Sequence, residues 1–470
     1  RTDGTPFLDV QADSFSTFSS TNVETATRKP EPMLSGTLGD LDGDGKLEFI
    51  LAGFDQKLYV FKSDGSKFAN FPLLLKDTSC GAYSKTNPDE AISPILVGDI
   101  DGDGSLEIVA ASSETCGTPA PDANVPGAGG GSGRVFAFKA GAGGNWAGMS
   151  GWPIAPTGIS VCPVPLVACG VGHGIAGADV DGDGDLEMAV GVFLGGPFLY
   201  DHTGGDPLLT FNPNATTQGP GGDNNEETAE GGTGRNDDPS MSYVALGAFA
   251  NINATDAAPE YLTGTIGASV GLLAAGSGKL TPFDHYLAGW GTDGAAAGQM
   301  LPNFPRVMDD WQFFTGPVVA EISGDAMPEV IAGSGGYFLY AYNALGQAAP
   351  GWPKRMGQWV VSSPSIGDLD GDGKMEVVSM TRFGTVHVYK TTGAACQPSA
   401  SLWRKGRHDE WNTGVLGLDT LRPNKVSPLA AAVSGSTVTL NFKASGDDQN
   451  CGTAKTYEVR KLDGQVSAPD

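Results

Sequence analysis

The chain has 470 residues, too many for one ordinary hydrophobic core and enough for three or four domains at most. Its 54 acidic and 28 basic residues give a net charge of −26, which argues against nucleic acid or an anionic membrane as the main partner and favours polyvalent cations. No run approaches the roughly 18 apolar residues that span a bilayer. Short apolar runs, separated by many of the 70 glycines and 31 prolines, predict an all-β fold.

One nine-residue phrase recurs at residues 40–48, 99–107, 179–187 and 368–376, with Asp at its first, third and fifth positions and Glu at its ninth. Two weaker copies lie between the third and fourth: residues 321–329 keep the register, whereas residues 251–260 are one residue longer. Six repeating units of this size predict the blades of a β-propeller. Six blades are favoured and seven are possible, within a domain spanning residues 1–421.

The same strand pattern surrounds each phrase. An apolar strand is predicted before the loop, as at 93–98 and 363–367, and another directly after it, as at 49–53 and 377–380. A third strand rich in aromatic residues follows at 58–61, 135–138, 338–342 and 386–389. A Phe-Pro or Trp-Pro pair then ends four of the units, at Pro72, Pro153, Pro305 and Pro353. Each acidic loop is therefore expected to join the first two strands of a sheet.

Alternate carboxylates followed by a glycine turn are typical of a calcium loop, with a backbone carbonyl at the seventh position as a further ligand. A solvated acidic turn without metal is the alternative, but four carboxylates in nine residues would repel one another strongly. Oxygen-only ligands favour Ca²⁺ over zinc or copper. About four sites are expected, a weak fifth is possible at Asp325 and Glu329, and none is expected at the loop from Asn251. The predicted metal ligands are Asp40, Asp42, Asp44, Lys46 and Glu48; Asp99, Asp101, Asp103, Ser105 and Glu107; Asp179, Asp181, Asp183, Asp185 and Glu187; and Asp368, Asp370, Asp372, Lys374 and Glu376.

At these residues the chain resembles the FG-GAP/VCBS-repeat propellers, which are bacterial relatives of the integrin α-subunit propellers. The resemblance covers about residues 30 to 418 and includes the phrase at 402–414, which is similar to the family's terminal Trp, His-Asp and Thr-Gly motif. It implies that calcium is structural and that ligands bind on a propeller face or rim. His408 beside Asp409 could form an acid/base pair, but a role in tying the last strand to the first blade is favoured.

Residues 422–470 are predicted to form a linker and a partial segment resembling the first half of a fibronectin type III module, a β-sandwich that needs about 100 residues. Half a sandwich exposes apolar faces and strand edges, so this tail could build a homo-oligomer or filament. The six cysteines contain no Cys-x-x-Cys motif, which favours disulfides in an oxidising compartment and a secreted protein. Six cysteines allow 15 pairings, of which Cys162 with Cys169 is the expected pair, and Cys451 could pair with the last blade, where Cys396 is the cysteine nearest to it in sequence.

These sequence patterns indicate the function of the protein less directly than its fold. No catalytic residue is predicted, and the favoured interpretation is a noncatalytic, extracellular calcium-stabilised propeller that serves adhesion, glycan binding or surface assembly. A polysaccharide lyase or hydrolase on the same scaffold, and a structural subunit of a filament or surface layer, are the alternatives. Trp146, Trp290, Trp311 and Trp359 could stack on sugar rings, but packing between blades is favoured for them.

Overall fold

The computed structural model of this chain divides into two compact units, residues 1–418 and residues 419–470. The structure describes residues 36–53, 56–77, 94–115, 132–156, 171, 174–192, 197–211, 241–242, 246–253, 257–266, 285–310, 312, 315–426, 429–446, 448–449 and 451–457.

The first unit contains a series of antiparallel sheets in which successive strands pair with one another. Sheet 1 comprises β1 (Thr37–Gly39), β2 (Glu48–Ala52), β3 (Lys57–Phe61) and β4 (Leu73–Leu74). Sheet 2 comprises β5 (Leu96–Gly98), β6 (Glu107–Thr115), β7 (Ser132–Ala140) and β8 (Trp146–Gly148). Sheet 3 comprises β9 (Gly174–Ala178), β10 (Glu187–Gly191), β11 (Pro197–Tyr200) and β12 (Leu209–Thr210).

The later sheets repeat this plan with small changes. Sheet 4 comprises β13 (Met241–Ser242), β14 (Ala248–Ala250), β15 (Glu260–Ile266), β16 (His285–Trp290) and β17 (Arg306–Met308), and both β13 and β14 pair with β15. Sheet 5 comprises β18 (Val318–Ala320), β19 (Glu329–Gly333), β20 (Phe338–Tyr342) and β21 (Lys354–Arg355). Sheet 6 comprises β22 (Ser365–Gly367), β23 (Lys374–Met380) and β24 (Val386–Ala394). Two short 3₁₀ helices lie at Gly294–Ala296 and Ser399–Ser401.

Neighbouring sheets pack face to face along the chain. β1 lies beside β5, β5 beside β9, β9 beside β14, and β18 beside β22. The cores fill the spaces between successive sheets: Ile50 of sheet 1 packs in one cluster with Val97 of sheet 2, whereas Val109 of sheet 2 packs in another with Ile175 of sheet 3. The Val-rich and Ala-rich second strands of sheets 2, 3 and 5 have both faces buried because their alternate side chains pack in two different cores. This architecture confirms the all-β propeller, while six rather than seven blades stays a prediction.

Residues 402–416, here called the closing segment, run across the first strands of five sheets. Their backbones accept one hydrogen bond from each of these sheets: Leu38 N donates to Trp411 O (2.9 Å), Val97 N to Thr413 O (3.1 Å), Gly177 N to Gly414 O (2.9 Å), Val319 N to Trp403 O (2.9 Å) and Ile366 N to Arg404 O (2.9 Å). The contact with Leu38 ties the end of the propeller to its first sheet, as the sequence predicts.

Two buried charges hold the closing segment in place. The guanidinium of Arg407 donates 2.6 Å hydrogen bonds to the backbone carbonyls of Ile175 and Ile95, and burial lowers the pKa of Arg407 to about 10. Asp409 accepts hydrogen bonds from the backbone N–H groups of Trp411 and Thr413. Burial alone would raise the pKa of Asp409, but hydrogen bonds from His408 and Thr413 lower it below its usual value. His408 and Asp409 therefore lie in a structural network.

Among its described residues the second unit contains one hairpin, β25 (Leu429–Ser434) and β26 (Thr437–Phe442), whose side chains are all exposed. The cross-strand pairs Leu429–Phe442, Ala431–Leu440 and Val433–Val438 lie on one face, and pairs containing Asn441, Thr439 and Thr437 lie on the other. The hairpin is thus amphipathic. Its fibronectin type III character stays a prediction.

The structure describes some of the cysteines and tryptophans for which the sequence makes predictions. Cys396 and Cys451 are both disulfide-bonded, whereas Cys162 and Cys169 lie outside the described residues. Trp146 and Trp290 are buried in the cores, which agrees with packing between blades, and Trp311 lies outside the described residues. Within the described part of the chain, no helix is long and apolar enough to cross a membrane.

Candidate metal centres

Each acidic loop joins the first and second strands of its sheet, and its backbone needs residues that tolerate positive φ. In the first loop Gly43 and Gly45, at the fourth and sixth positions, have φ values of 71° and 82°. Glycine adopts this region without the steric cost that a Cβ atom brings. The carboxylate of Asp40 accepts a 2.8 Å hydrogen bond from the N–H of Gly45, so the first Asp stabilises the turn that places the other ligands.

The glutamate that ends each loop, at the ninth position or, in the loop from Asn251, at the tenth, is the first residue of the second strand or lies within it, and it has the same partner in all six loops. Its Oε2 atom accepts a hydrogen bond from the backbone N–H of the loop's second residue. The pairs are Glu48 with Leu41 (2.9 Å), Glu107 with Ile100 (2.8 Å), Glu187 with Val180 (2.8 Å), Glu260 with Ile252 (2.8 Å), Glu329 with Ile322 (2.8 Å) and Glu376 with Leu369 (2.9 Å). Each glutamate thereby closes its loop onto the sheet.

The other carboxylate oxygen of the glutamate faces the loop aspartates. Ligand atoms of Asp99, Asp101 and Glu107 all lie within 4.8 Å of one another. Asp99 Oδ1, Asp101 Oδ1 and Glu107 Oε1 are buried and accept no hydrogen bond from the described residues. Three buried, unpartnered oxygens that converge on one point fit a hard cation, because an anionic oxygen buried without a partner is costly.

The same first, third and ninth positions converge in the first and third loops, through Asp40, Asp42 and Glu48 and through Asp179, Asp181 and Glu187. In the fourth strong loop, Asp368 accepts hydrogen bonds from the N–H groups of Gly371 and Gly373. Glu376 Oε1 is buried there without a hydrogen-bond partner among the described residues.

The fifth-position aspartates have a second role in the turn. Asp44 Oδ1 accepts a 2.8 Å hydrogen bond from the N–H of Lys46, and Asp103 Oδ1 accepts one of 2.9 Å from that of Ser105. Asp183 and Asp185 form a second convergent group with Glu187. Ligation by the fifth-position side chains and by the seventh-position carbonyls of Lys46, Ser105, Asp185 and Lys374 stays a prediction.

Burial gives the ninth-position glutamates unusual electrostatics. It raises the pKa of Glu107 to about 7, of Glu187 to about 8 and of Glu329 to about 7, and nearby loop aspartates reinforce the effect in each case. The pKa of Glu48 is raised for the same reasons. The charged form of these carboxylates therefore needs a nearby positive charge, which a bound cation would supply.

The two weaker loops depart from this pattern in different ways. At the loop from Asn251, the side-chain amide of Asn253 donates a hydrogen bond to Glu260 Oε1 and so occupies the position of a cation. In the loop at residues 321–329, the carboxylates of Glu321, Asp325 and Glu329 still converge. Its sixth residue is Ala326, yet φ stays at 71°, so the loop keeps its shape against the cost of a Cβ atom.

Sequence reasoning missed the basic side chains that lie at three of these loops. Lys62, Lys139 and Lys390, each placed one residue after an aromatic residue of the third strand, bind the third-position aspartates Asp42, Asp101 and Asp370. The signal was present as the recurring dipeptides Phe61-Lys62, Phe138-Lys139 and Tyr389-Lys390.

A second surface lies at the opposite ends of the strands. The acidic loops join first and second strands, so the turns that join second and third strands lie at the other end of each sheet. Tyr337 is in such a turn of sheet 5 and Phe383 in that of sheet 6, and they are 50% and 74% exposed. Trp359 is 37% exposed, and the guanidinium of Arg382 lies 4.8 Å from the centroid of its ring.

Hydrogen bonds hold these residues together. Arg382 N donates to Trp359 O (2.8 Å), and Met356 N donates to Tyr337 O (2.7 Å). The carboxylate of Asp309 fixes the turn by accepting a 2.8 Å hydrogen bond from the N–H of Tyr337. We call Tyr337, Trp359, Arg382 and Phe383 the aromatic surface.

A cavity of 660 Å³ lies between sheets 2 and 3. Its polar lining includes Asp101, Lys139, Ser150, His202 and Thr203. Lys139 pairs with Asp101 and Asp103, and His202 Nδ1 lies 2.9 Å from Asp185 Oδ2, so the basic groups of the cavity already face carboxylates.

Comparison with known proteins identifies the repeat. Residues 40–110 match the family model described as an FG-GAP-like repeat, and no curated protein matches the chain. The chain is similar to BBS1N in its complex with ARL6DN, at 12% identity and a TM-score of 0.40 over 89% of this chain and 92% of that one. It is similar to the V. cholerae biofilm matrix protein Bap1, at 14% identity and a TM-score of 0.35 over 81% of each chain. It is also similar to the Dos1 propeller, at 10% identity and a TM-score of 0.38 over 74% of this chain and 66% of that one.

Proposed function

We propose that this β-propeller with FG-GAP-like repeats is a secreted, noncatalytic protein that binds an extracellular glycan and is stabilised by calcium. The observation that supports glycan binding most directly is the aromatic surface, which leaves three large rings accessible at the end of the propeller away from the acidic loops. Aromatic faces stack on the apolar faces of sugar rings, and a nearby guanidinium can donate to sugar hydroxyl or carboxylate oxygens.

Calcium has a structural role in this proposal. Asp40, Asp99, Asp179 and Asp368, with the third-position aspartates and ninth-position glutamates of the same loops, would hold one ion each. The ion would supply a positive charge that neutralises the converging carboxylates and cross-links the first and second strands of a sheet. The buried, unpartnered oxygens of Asp99, Asp101 and Glu107 support this assignment.

Secretion is supported by chemistry and composition. Cys396 and Cys451 are disulfide-bonded, and disulfides persist mainly in oxidising compartments. Calcium concentrations outside cells also suit loops of this kind, which extracellular modules use with modest affinity.

A glycan array tests the proposal, with the full chain applied in calcium and in excess chelator. We expect binding to neutral or acidic glycans that falls about tenfold or more in Trp359→Ala, because the substitution removes the ring on which a sugar would stack. Leu208→Ala removes another exposed apolar side chain, in the turn before β12, and should bind normally. Equal binding by both variants, or no glycan bound by the wild type, would contradict the glycan assignment.

Assembly through the second unit is a second candidate function. It is favoured by the amphipathic hairpin, whose face carrying Leu429, Val433, Val438, Leu440 and Phe442 is exposed. A two-stranded hairpin is marginal alone, so a further apolar sheet would stabilise it. The proposed partner is a second copy of this chain, which would give a homo-oligomer or filament.

For the enzymatic alternative we consider the cavity between sheets 2 and 3. There Lys139 and His202 come together, but each faces carboxylates, which leaves no separate acid and base defined by the described residues. Release of unsaturated or shortened sugars from acidic and neutral polysaccharides would establish catalysis in place of simple binding.

A further inference from the structure

We propose that the lysine that follows an aromatic residue in or directly after the third strand of sheets 1, 2 and 6 is a built-in counter-cation that competes with calcium, so that the loop at Asp179 is the tightest calcium site. This inference rests on the proposed calcium binding and adds an order of affinities to it. The observation behind it is that three of the four strong loops have such a lysine and the third does not.

The three lysines reach the same loop position. Lys62 Nζ lies 2.7 Å from Asp42 Oδ2. Lys139 binds Asp101 and lies 2.6 Å from Asp103 Oδ2. Lys390 binds Asp370, and its Nζ lies 3.6 Å from Asp372 Oδ2. Each ammonium therefore contacts a third-position aspartate, which is one of the proposed calcium ligands.

Sheet 3 differs at the equivalent place. β11 ends at Tyr200, and the next residue is Asp201 where the other three sheets have lysine. Among the described residues, no lysine or arginine forms an ion pair with Asp181, the third-position aspartate of this loop. His202 pairs instead with Asp185 and Asp201. The third loop thus has one more carboxylate and no ammonium.

The formal charges differ accordingly. Five carboxylates and no lysine give the loop at Asp179 a charge of −5, apart from Asp201. The loop at Asp99, with four carboxylates and Lys139, carries −3. The loops at Asp40 and Asp368 each have four carboxylates and two lysines, which leaves −2. Calcium affinity rises with the charge of the ligand set, and an ammonium in contact opposes a second cation by Coulomb repulsion.

A lysine could act in the opposite direction. By orienting an aspartate from outside the ligand shell, it could raise calcium affinity, as hydrogen-bonding partners of metal ligands do. The two roles predict opposite signs when the ammonium is removed. Lys139→Met separates them, because it keeps the length of the aliphatic chain and removes the charge.

Calorimetric titration of the chelator-stripped full chain with CaCl₂ tests the proposal. In the wild type we expect one tight site and several weaker ones, and Asp181→Asn should abolish the tight one. Lys139→Met should raise the affinity of one weaker site about tenfold at low ionic strength, with an unchanged number of sites. Lys139→Arg and Lys425→Met should match the wild type, because the first keeps the charge and the second changes an exposed lysine remote in sequence from every loop.

Two results would overturn the proposal. If Lys139→Met lowers the affinity or leaves it unchanged while the number of sites is constant, the lysine is not a competitor, although the calcium sites stand. If the tight site survives Asp181→Asn, the order of affinities is wrong. A wild type that takes up no calcium at all would contradict the calcium assignment itself, and the lysine proposal with it.

Discussion

The guanidinium of Arg407 donates a 2.6 Å hydrogen bond to the backbone carbonyl of Ile95, a residue 312 positions earlier in the chain. A second hydrogen bond reaches Ile175 of sheet 3, so one side chain connects the closing segment to two sheets. The closing segment thus stabilises the propeller through buried hydrogen bonds as well as through backbone pairing. This arrangement has a measurable consequence for stability.

Arg407→Met should lower the free energy of unfolding by about 3 kcal/mol or more, because it removes two buried hydrogen bonds from a charged donor and the favourable charge interaction of Arg407 with buried Asp409. Denaturant unfolding followed by tryptophan fluorescence measures the loss. Arg355→Met is the matched control, since Arg355 is exposed, and should change stability little. Similar unfolding midpoints for the two variants would show that the closing segment does not depend on Arg407.

The glutamates that end the loops allow a matched comparison of calcium binding. Glu107 and Glu260 are both buried and both accept a backbone hydrogen bond, but Glu107 converges with Asp99 and Asp101, whereas Glu260 accepts a hydrogen bond from the side-chain amide of Asn253. Substitution by Gln keeps an acceptor oxygen and removes the charge. Glu107→Gln should therefore lose about one calcium per chain, whereas Glu260→Gln should keep the wild-type number. Metal analysis after dialysis in calcium gives the count, and an equal loss from both would refute the distinction between the loops.

Ala326 offers a test of loop strain. Its φ of 71° is unfavourable for any residue with a Cβ atom, so Ala326→Gly should raise the free energy of unfolding by about 1 kcal/mol. Ala297 has φ of −53°, and Ala297→Gly should instead destabilise the protein slightly, by about 0.5 kcal/mol. Thermal unfolding of the two variants side by side distinguishes them. A destabilised Ala326→Gly would mean that the loop adopts a different backbone conformation.

If the apolar face of the hairpin connects two copies of the chain, substitutions on the two faces of the hairpin should affect oligomer formation differently. Leu440→Asp places a charge on the apolar face and should shift any oligomer toward monomer, whereas Thr439→Asp, on the opposite face, should leave it unchanged. Light scattering over a range of concentrations measures the mass. A wild type that stays monomeric throughout, or an oligomer that tolerates both substitutions, would exclude the apolar face as the connector.

Local patterns predicted much of this molecule. The strands around the acidic loops, the aromatic third strands and the convergence of Asp99, Asp101 and Glu107 all follow from short-range spacing. The contact of Lys139 with Asp101 spans 38 residues and that of Arg407 with Ile95 spans 312, so both depend on how sheets fold and pack. Short-range spacing does not show which residues such long-range contacts join. The amide of Asn253 at Glu260 was equally hidden, because sequence shows that charge is lost but not what replaces it.

Thermal unfolding of the full chain with its bound calcium, and again after chelation, tests the structural role of calcium most directly. Metal analysis of both samples gives their calcium content. Ligand that binds only the folded state adds about 2.7 kcal/mol per site at a hundredfold excess over the dissociation constant. With about four sites, the unfolding temperature should fall strongly on chelation and return when calcium is added. An unchanged unfolding curve in a sample shown to contain no calcium would contradict the structural role of the metal.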